Sequence, residues 1–397
     1  MIRAGVGQSQ KQLTGRAVEE AAFEAMARAG ISRADLALIF FTAEHAASAP
    51  ELVSALVRSV GTDCVFGSSG AGIVTGEGEI EGSSGVAVLV LASDEIIGRP
   101  FIFEPLKGNE ANLGATFGEF LAKADDKNSL MILLPDSYNG NPQPLLASMA
   151  SKAGFHPAIG AGSTENGAAG ATYQLCGDKL ASNSIAGAYL SGDFRVHIDI
   201  TQGCQPIAEP MVITKAEGNL IYEIDGRPAL EAFAHVLRGP LAEDIRRALM
   251  VLFVGVPADR RENSVAPGKY LVRNVIGLDP DKGILGVAEE VSAGEAMIFT
   301  MRDGQRARED LGQMLQRQVQ ALGGKKPAFG LYFNCCARGH SLYGIPGIDS
   351  AYIRQALGDV PLIGMFGGYE LAPLGRANHL FAYTGVLALV TGQEPMN

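Results

Sequence analysis

One interval recurs three times in this chain and constrains its fold more than any figure of composition. A glycine placed to end a helix is followed six residues later by a second glycine that closes an apolar strand: Gly61 and Gly67, Gly154 and Gly160, Gly358 and Gly364. Each helical stretch carries a proline near its start, Pro50, Pro142 or Pro346, where the missing N–H has no helical partner to lose. An apolar strand precedes each stretch, at 36–41, 130–134 and 329–333. A glycine-rich, hairpin-like excursion follows each second glycine, and then another apolar strand, at 86–91, 185–190 and 385–390. The repeated unit therefore reads as strand, helix, strand, hairpin, strand, and finding such a repeat comes before any reading of motifs.

This pattern predicts an α/β protein of mixed sheets with flanking helices. The uniformly apolar strands fit sheets buried on both faces. Amphipathic helices are expected over 11–30 and 305–322, the first closed by Gly30 and the second by Gly323-Gly324. A fourth, degenerate copy is expected at 248–301, lacking its helix. Four copies suggest two related domains of two modules each, divided near 205–225 into 1–210 and 211–397. In that border, 220–224 reads as a strand, Asp225-Gly226 as a tight turn and Pro228 as a helix start.

Composition closes off several functions. The net charge of −11, without a basic cluster, argues against nucleic-acid binding. Apolar runs such as 248–254 fall far short of the roughly 18 residues a membrane helix needs, and the N-terminus lacks the pattern of a signal peptide. Five cysteines, two of them adjacent, fit reduced thiols in a cytoplasmic protein better than a disulfide framework. The 50 glycines among 397 residues, against about 7% in ordinary proteins, lie along the chain without a short period.

The order of motifs resembles the FIST family, with paired FIST N and FIST C domains. The matching residues are Phe66-Gly67-Ser68-Ser69-Gly70-Ala71-Gly72, then Ile221-Tyr222-Glu223-Ile224-Asp225-Gly226-Arg227-Pro228-Ala229, and finally Cys336-Ala337-Arg338-Gly339 with 361–370. The resemblance implies a sensory protein that binds a small ligand, with amino acids among the candidates, and feeds signal transduction. Some members are fused to signalling outputs. No residues are expected to remain here for one, so a separate signalling partner is implied.

The candidate site is the pair of strand ends around Asn334, Cys336, Arg338 and Gly368, Tyr369, Glu370, since open α/β sheets bind ligands at their carboxyl ends. Arg338 offers a planar fork for a carboxylate and Glu370 a match for an ammonium, so together they suit an α-amino acid. The alternative is that the two charges form an internal salt bridge. Ser69 and Gly70 belong to a loop whose N–H groups suit an anion, or which is simply a turn; neither a P-loop nor a dinucleotide fingerprint is present. A competing enzyme reading uses Cys336 as nucleophile, its thiolate favoured by Arg338, with His340 or His379 as base. Against it, Cys336 reads more simply as a small core residue. No metal motif and no cofactor motif is found.

Overall fold

The computed structural model describes every residue except 125, 127, 168 and 393–397. Its contacts group the chain into two compact units. The first comprises 1–201, 311–380 and 384–397, and the second 202–310 and 381–383. The chain thus first crosses between them just before the expected 210/211 division, and its C-terminal part returns to the first unit.

The first unit contains three copies of one module. Each has a lead strand, a helix, two parallel strands bracketing a second helix, a hairpin and a return strand. In the first copy these are Ile2–Ser9, Thr14–Ala29, Leu36–Thr42, Ala49–Val60, Val65–Gly70, the hairpin Gly72–Thr75 and Gly78–Glu81, and Val86–Ser93. The second runs Ile96–Phe103, Glu110–Leu121, Asn128–Pro135, Pro142–Ala153, Ala158–Ala161, Gln174–Cys176 with Lys179–Ala181, and Ile185–Gly192. The third runs Phe194–Gln202, Gly304–Leu322, Phe329–Cys335, Ile348–Leu357, Leu362–Gly367, Glu370–Leu374 with Ala377–Phe381, and Thr384–Gly392. The long segment of the second unit, 202–310, is inserted within this last copy, from the end of its lead strand into the first turns of helix Gly304–Leu322.

All three sheets have six strands in the same order: lead, return, first parallel, second parallel, and then a hairpin taken from another module. Hairpin 72–81 completes the third module's sheet, hairpin 370–381 the second's, and hairpin 174–181 the first's. The exchange is cyclic and gives the unit a threefold pseudo-symmetry. Each sheet carries two helices on one face. Leu52, Leu56 and Val60 pack with Val18, Ala22 and Met26 over the first. Leu113, Phe117, Leu145 and Met149 cover the second, and Leu311, Leu315 and Ile353 the third. The other faces look inward, where Phe40 and Phe333 meet edge to face at 6.1 Å. Burying side chains of this size contributes about 1.5–3 kcal/mol each, which amply stabilises short helices that would be marginal alone.

The recurring glycines have one physical cause. Gly67, Gly160 and Gly364 lie opposite Ile39, Leu133 and Tyr332 in the parallel pairs. A Cβ on any of them would come within 1.9, 1.8 or 1.9 Å of the facing carbonyl oxygen, so no side chain fits. Gly67 and Gly364 stand third in strands that continue to Gly70 and Gly367, rather than ending them. Gly61, Gly154 and Gly358 terminate the helices as expected, each with positive φ.

The second unit is antiparallel. Strands Met211–Glu217, Leu220–Ile224, Ile284–Val287, Tyr270–Asp279, Leu252–Pro257 and Ala296–Arg302 pair in that order, and the last pairs back with the first. They close a small barrel. The stretch 248–301 is therefore no fourth module: Leu252–Pro257 has antiparallel neighbours on both sides, so no crossover helix is needed between parallel strands. Asp225-Gly226 forms the expected turn, both residues at positive φ, and helix Ala229–Val236 follows Pro228.

Candidate functional site

The C-terminal ends of the parallel strands from all three modules meet at one end of the first unit. Backbone bonds close the ring: Thr164 N donates to Ser69 O at 3.3 Å, Gly368 N to Gly162 O at 2.9 Å and Ala71 N to Phe366 O at 3.0 Å. Four residues beyond the carbonyls that face the three glycines stand Ala43, Ser137 and Cys336, equivalent positions in the three copies. Cys336 N donates to Gly367 O at 2.8 Å and Ser137 N to Ser163 O at 3.3 Å, which fixes both residues at the rim. Cys336 and Gly368 are exposed and Tyr369 half-buried. Tyr138, half exposed, donates to Glu165 at 2.8 Å. Burial and that carboxylate both raise its phenol, and the Cys336 thiol adds to the effect. Gly162 and Gly368 lie so close to Ser137 that a Cβ on either would come within 2.9 or 3.0 Å of its side chain.

The other predicted residues lie beneath this rim, in two separate places. Asn334 and Arg338 belong to a fully buried network on the helix side of the third sheet. Asp349, in the first turn of helix Ile348–Leu357, accepts from Arg338 Nε at 3.2 Å and Nη2 at 3.1 Å, Asn334 at 2.8 Å, Tyr332 at 3.0 Å and Tyr343 at 2.7 Å. Burial alone would lower the Arg338 pKa, but Asp349, Tyr343 and Tyr332 together outweigh it and the guanidinium stays firmly charged. Two carboxylates of the donated hairpin hold the same loop: Glu81 accepts from His340 N at 3.0 Å, and Glu79 from Gly347 N and Ser350 N at 2.9 Å. Burial raises the pKa of both from the ordinary value.

Glu370 occupies the inner side. It is fully buried, lies opposite Ala161, and accepts at Oε2 from Thr384 Oγ1 at 2.6 Å and Thr384 N at 3.2 Å. Burial raises its pKa well above the ordinary value, and Cys335 adds to that. Successive residues of a strand face opposite ways, so Asn334 looks to Asp349 while Cys335 looks to Glu370. No ion pair joins Arg338 to Glu370 among the described residues; the fork expected for a ligand carboxylate is closed on Asp349. Ser69 is buried, its Oγ donating to Thr164 O at 2.9 Å and accepting from Tyr173 N at 3.0 Å. Gly70 is buried against Met365 and Phe366; the expected loop is instead the end of strand Val65–Gly70, paired through Ser69 and Gly70 with Phe41 and Thr42, and it is a junction between modules.

Sequence reading missed Asp349, Tyr343 and Ser137. Aligning the three first strands on their glycine-facing residues would have paired Ser137 with Cys336. Nothing local marks Asp349 as the partner of Arg338. Among the described residues no group of three or more His, Cys, Asp and Glu side chains is placed to hold a metal.

These features define a class: a three-module α/β protein with an inserted antiparallel barrel and a rim of strand ends where the modules meet. The FIST N domain description matches residues 35–227 and the FIST C domain 229–373. The chain belongs to the FIST family, whose domains are associated with small-ligand sensing in signal transduction. It is 31% identical over 391 residues to uncharacterized protein Rv0628c of Mycobacterium tuberculosis, covering 98% of this chain and 99% of that one. It is 29% identical to uncharacterized protein Mb0898c of Mycobacterium bovis, covering 98% of each. The crystal structure of a cyanuric acid hydrolase from A. caulinodans aligns over 48% of this chain and 71% of that one, at 11% identity and a TM-score of 0.29, too low to carry an argument. No helix is long and apolar enough to cross a membrane among the described residues.

Proposed function

We propose that this protein is a cytoplasmic sensor that binds a small polar metabolite, of the amino-acid class, at the rim formed by Ser137, Tyr138, Cys336, Gly368 and Tyr369, and passes the signal to a separate protein. The observation that carries this reading is the convergence of three modules' strand ends on exposed Cys336 and Gly368. Strand carboxyl ends are where sheets of this kind present loops to ligands. Arg338, Asn334, Ser69 and Gly70 support the rim from below rather than touching the ligand. The thiol of Cys336 is accessible, which also admits a thiol enzyme; the two readings part on turnover.

A thermal-shift panel of amino acids and related metabolites tests the proposal, since a ligand bound only by the folded state raises its melting temperature. At least one compound should stabilise the protein. Cys336→Phe, which places a ring over the rim from an exposed position, should abolish that shift while leaving the ligand-free melting temperature within a few degrees. A panel without a stabilising compound, or one that stabilises both proteins equally, would refute the rim as a sensor site. Consumption of a compound by wild type but not by Cys336→Ser would establish the enzyme instead.

A further inference from the structure

The inner face below the rim carries two buried polar atoms with no partner among the described residues, Glu370 Oε1 and Ser163 Oγ. Both residues are fully buried. Ala161 ends the strand Ala158–Ala161, and Ser163, two residues on, continues the parallel pairing by bridging Asp136, so the two face the same way. Glu370 sits directly across from Ala161, so its side chain shares that face. Between this layer and the exposed rim runs Gly367-Gly368, which carries no side chains.

The module repeat identifies the protonation pattern. Glu370 and Gln174 are equivalent, for each is the inward residue one position before the hairpin leucine that faces a glycine of the internal repeat: Leu371 opposite Gly160 and Leu175 opposite Gly67. Their hydroxyl partners are equivalent too. Ser184 Oγ donates to Gln174 Oε1 at 2.7 Å, and Thr384 Oγ1 to Glu370 Oε2 at 2.6 Å. In the second module, the neutral amide accepts from the hydroxyl and uses its NH2 as donor, to Thr172 Oγ1 at 3.1 Å. Glu370 Oε2 likewise accepts twice from Thr384, which leaves Oε1 as the oxygen to carry a proton. The titratable groups felt by Glu370 are Cys335 and, on the far side of the sheet, Arg338, itself neutralised by Asp349.

We infer that Glu370 meets the ligand as a hydrogen-bond donor through Oε1, beside Ser163 Oγ, and that the group it selects is a carbonyl or carboxyl oxygen, not an ammonium. This deepens the sensor reading and rests on it. An amino acid would then enter with its carboxyl end toward Glu370, the reverse of the polarity that its negative formal charge implies.

The probes are acetamide, acetate and methylammonium, each titrated into wild type, Glu370→Gln and Glu370→Met, with binding read by saturation-transfer NMR and folding by circular dichroism. Acetamide or acetate should bind wild type, and the preferred one tells an amide source from a carboxyl source. Glu370→Gln reproduces the acceptor toward Thr384 and the donor at Oε1, so affinity should stay within about twofold. Glu370→Met removes the donor and should weaken binding about tenfold. Wild-type binding should fall as the pH climbs through the carboxyl's raised range, while the Gln variant stays flat. Preference for methylammonium, or loss of binding in a folded Glu370→Gln protein, overturns the inference. So does a stabilising metabolite from the wider panel when none of the three probes binds; the sensor reading then survives alone. If neither the probes nor the panel bind, both readings fall together.

Discussion

Removing Asp349 should cost more than removing any exposed residue at the rim. Its carboxylate accepts five hydrogen bonds, two from the Arg338 fork and one each from Tyr332, Asn334 and Tyr343. Both Arg338 and Asp349 are fully buried. Asp349→Ala strands the guanidinium, and breaking a buried pair from one side costs about 3–5 kcal/mol. That is a large share of the roughly 5–15 kcal/mol by which domains are stable. The double variant Arg338→Met with Asp349→Leu removes both charges and should recover at least half the loss, because apolar replacements of buried pairs are often neutral.

Urea unfolding followed by circular dichroism and tyrosine fluorescence measures this directly, for the chain has 10 tyrosines and no tryptophan. Glu370→Gln serves as the control. In an Arg338→Met background it should add its own effect and rescue nothing, since the two residues lie on opposite sides of one strand. An Asp349→Ala loss below about 1 kcal/mol, or rescue of Arg338→Met by Glu370→Gln, would refute the assignment of Arg338 to Asp349.

Further outcomes follow from exposure, close approach and charge. Brief iodoacetamide treatment, read by peptide mass spectrometry, should label Cys336 ahead of buried Cys204 and Cys335, and ahead of Cys176, whose thiol burial pushes up to about 11. Alanine at Gly67 or Gly364 drives a methyl into a carbonyl at 1.9 Å, and overpacking of this kind costs roughly 1–3 kcal/mol or more; a neutral urea midpoint would count against the close-approach explanation. Glu370 is held protonated to higher pH in the folded state than in the unfolded one. Its contribution is complete below the unfolded carboxyl pKa and is lost as pH rises through the folded value. Glu370→Gln should remove that part of the decline in a pH series of urea midpoints, and an unchanged slope would show that Glu370 ionises normally.

The sequence made the modules legible because their punctuation has a steric cause. A glycine where two parallel backbones press together, and another where a helix ends, survive in any copy of the unit. The hairpins were visible as hairpins, but their destinations were not. The pairing of Ile73 with Met365 joins strand edges that nothing local matches, and an alternating pattern says which face is buried without saying whose edge it meets. The third copy's lead strand, Phe194–Gln202, is separated from its helix, Gly304–Leu322, by the inserted barrel; this split hid the symmetry. At the site, the sequence marks Arg338 and Glu370 as unusual charges at adjoining strand ends, but the structure puts them on different sheets, Arg338 just after Phe329–Cys335 of the third and Glu370 opening the hairpin that completes the second. Their pairing failed because closeness in sequence to adjacent strand ends does not reveal which sheet, or which side of it, each side chain takes.

The threefold repeat also supplies an internal comparison that separates support from recognition. Where a residue's role is to join modules, its counterparts do similar work: Thr384 with Glu370 matches Ser184 with Gln174, while the first copy fills the same place with Ile73 against Gly85. The inner position therefore accepts an apolar, an amide or an acid side chain without loss of the fold. An acid is the costliest of the three to bury, and Glu370 is the member of the set left with a buried atom lacking a partner. The rim shows the same divergence, with Ala43, Ser137 and Cys336 at one backbone position. If packing alone governed these places, the cheapest residue would serve in all three copies. The third module instead carries both the buried acid and the exposed thiol, on adjoining strand ends. Replacing Glu370 by Gln and Cys336 by Ser in one protein should therefore leave the urea midpoint near that of wild type, because each substitution copies a residue type the fold already holds at the equivalent place. A loss well above about 2 kcal/mol would show that the modules are not interchangeable there, and would return Glu370 to a purely structural role.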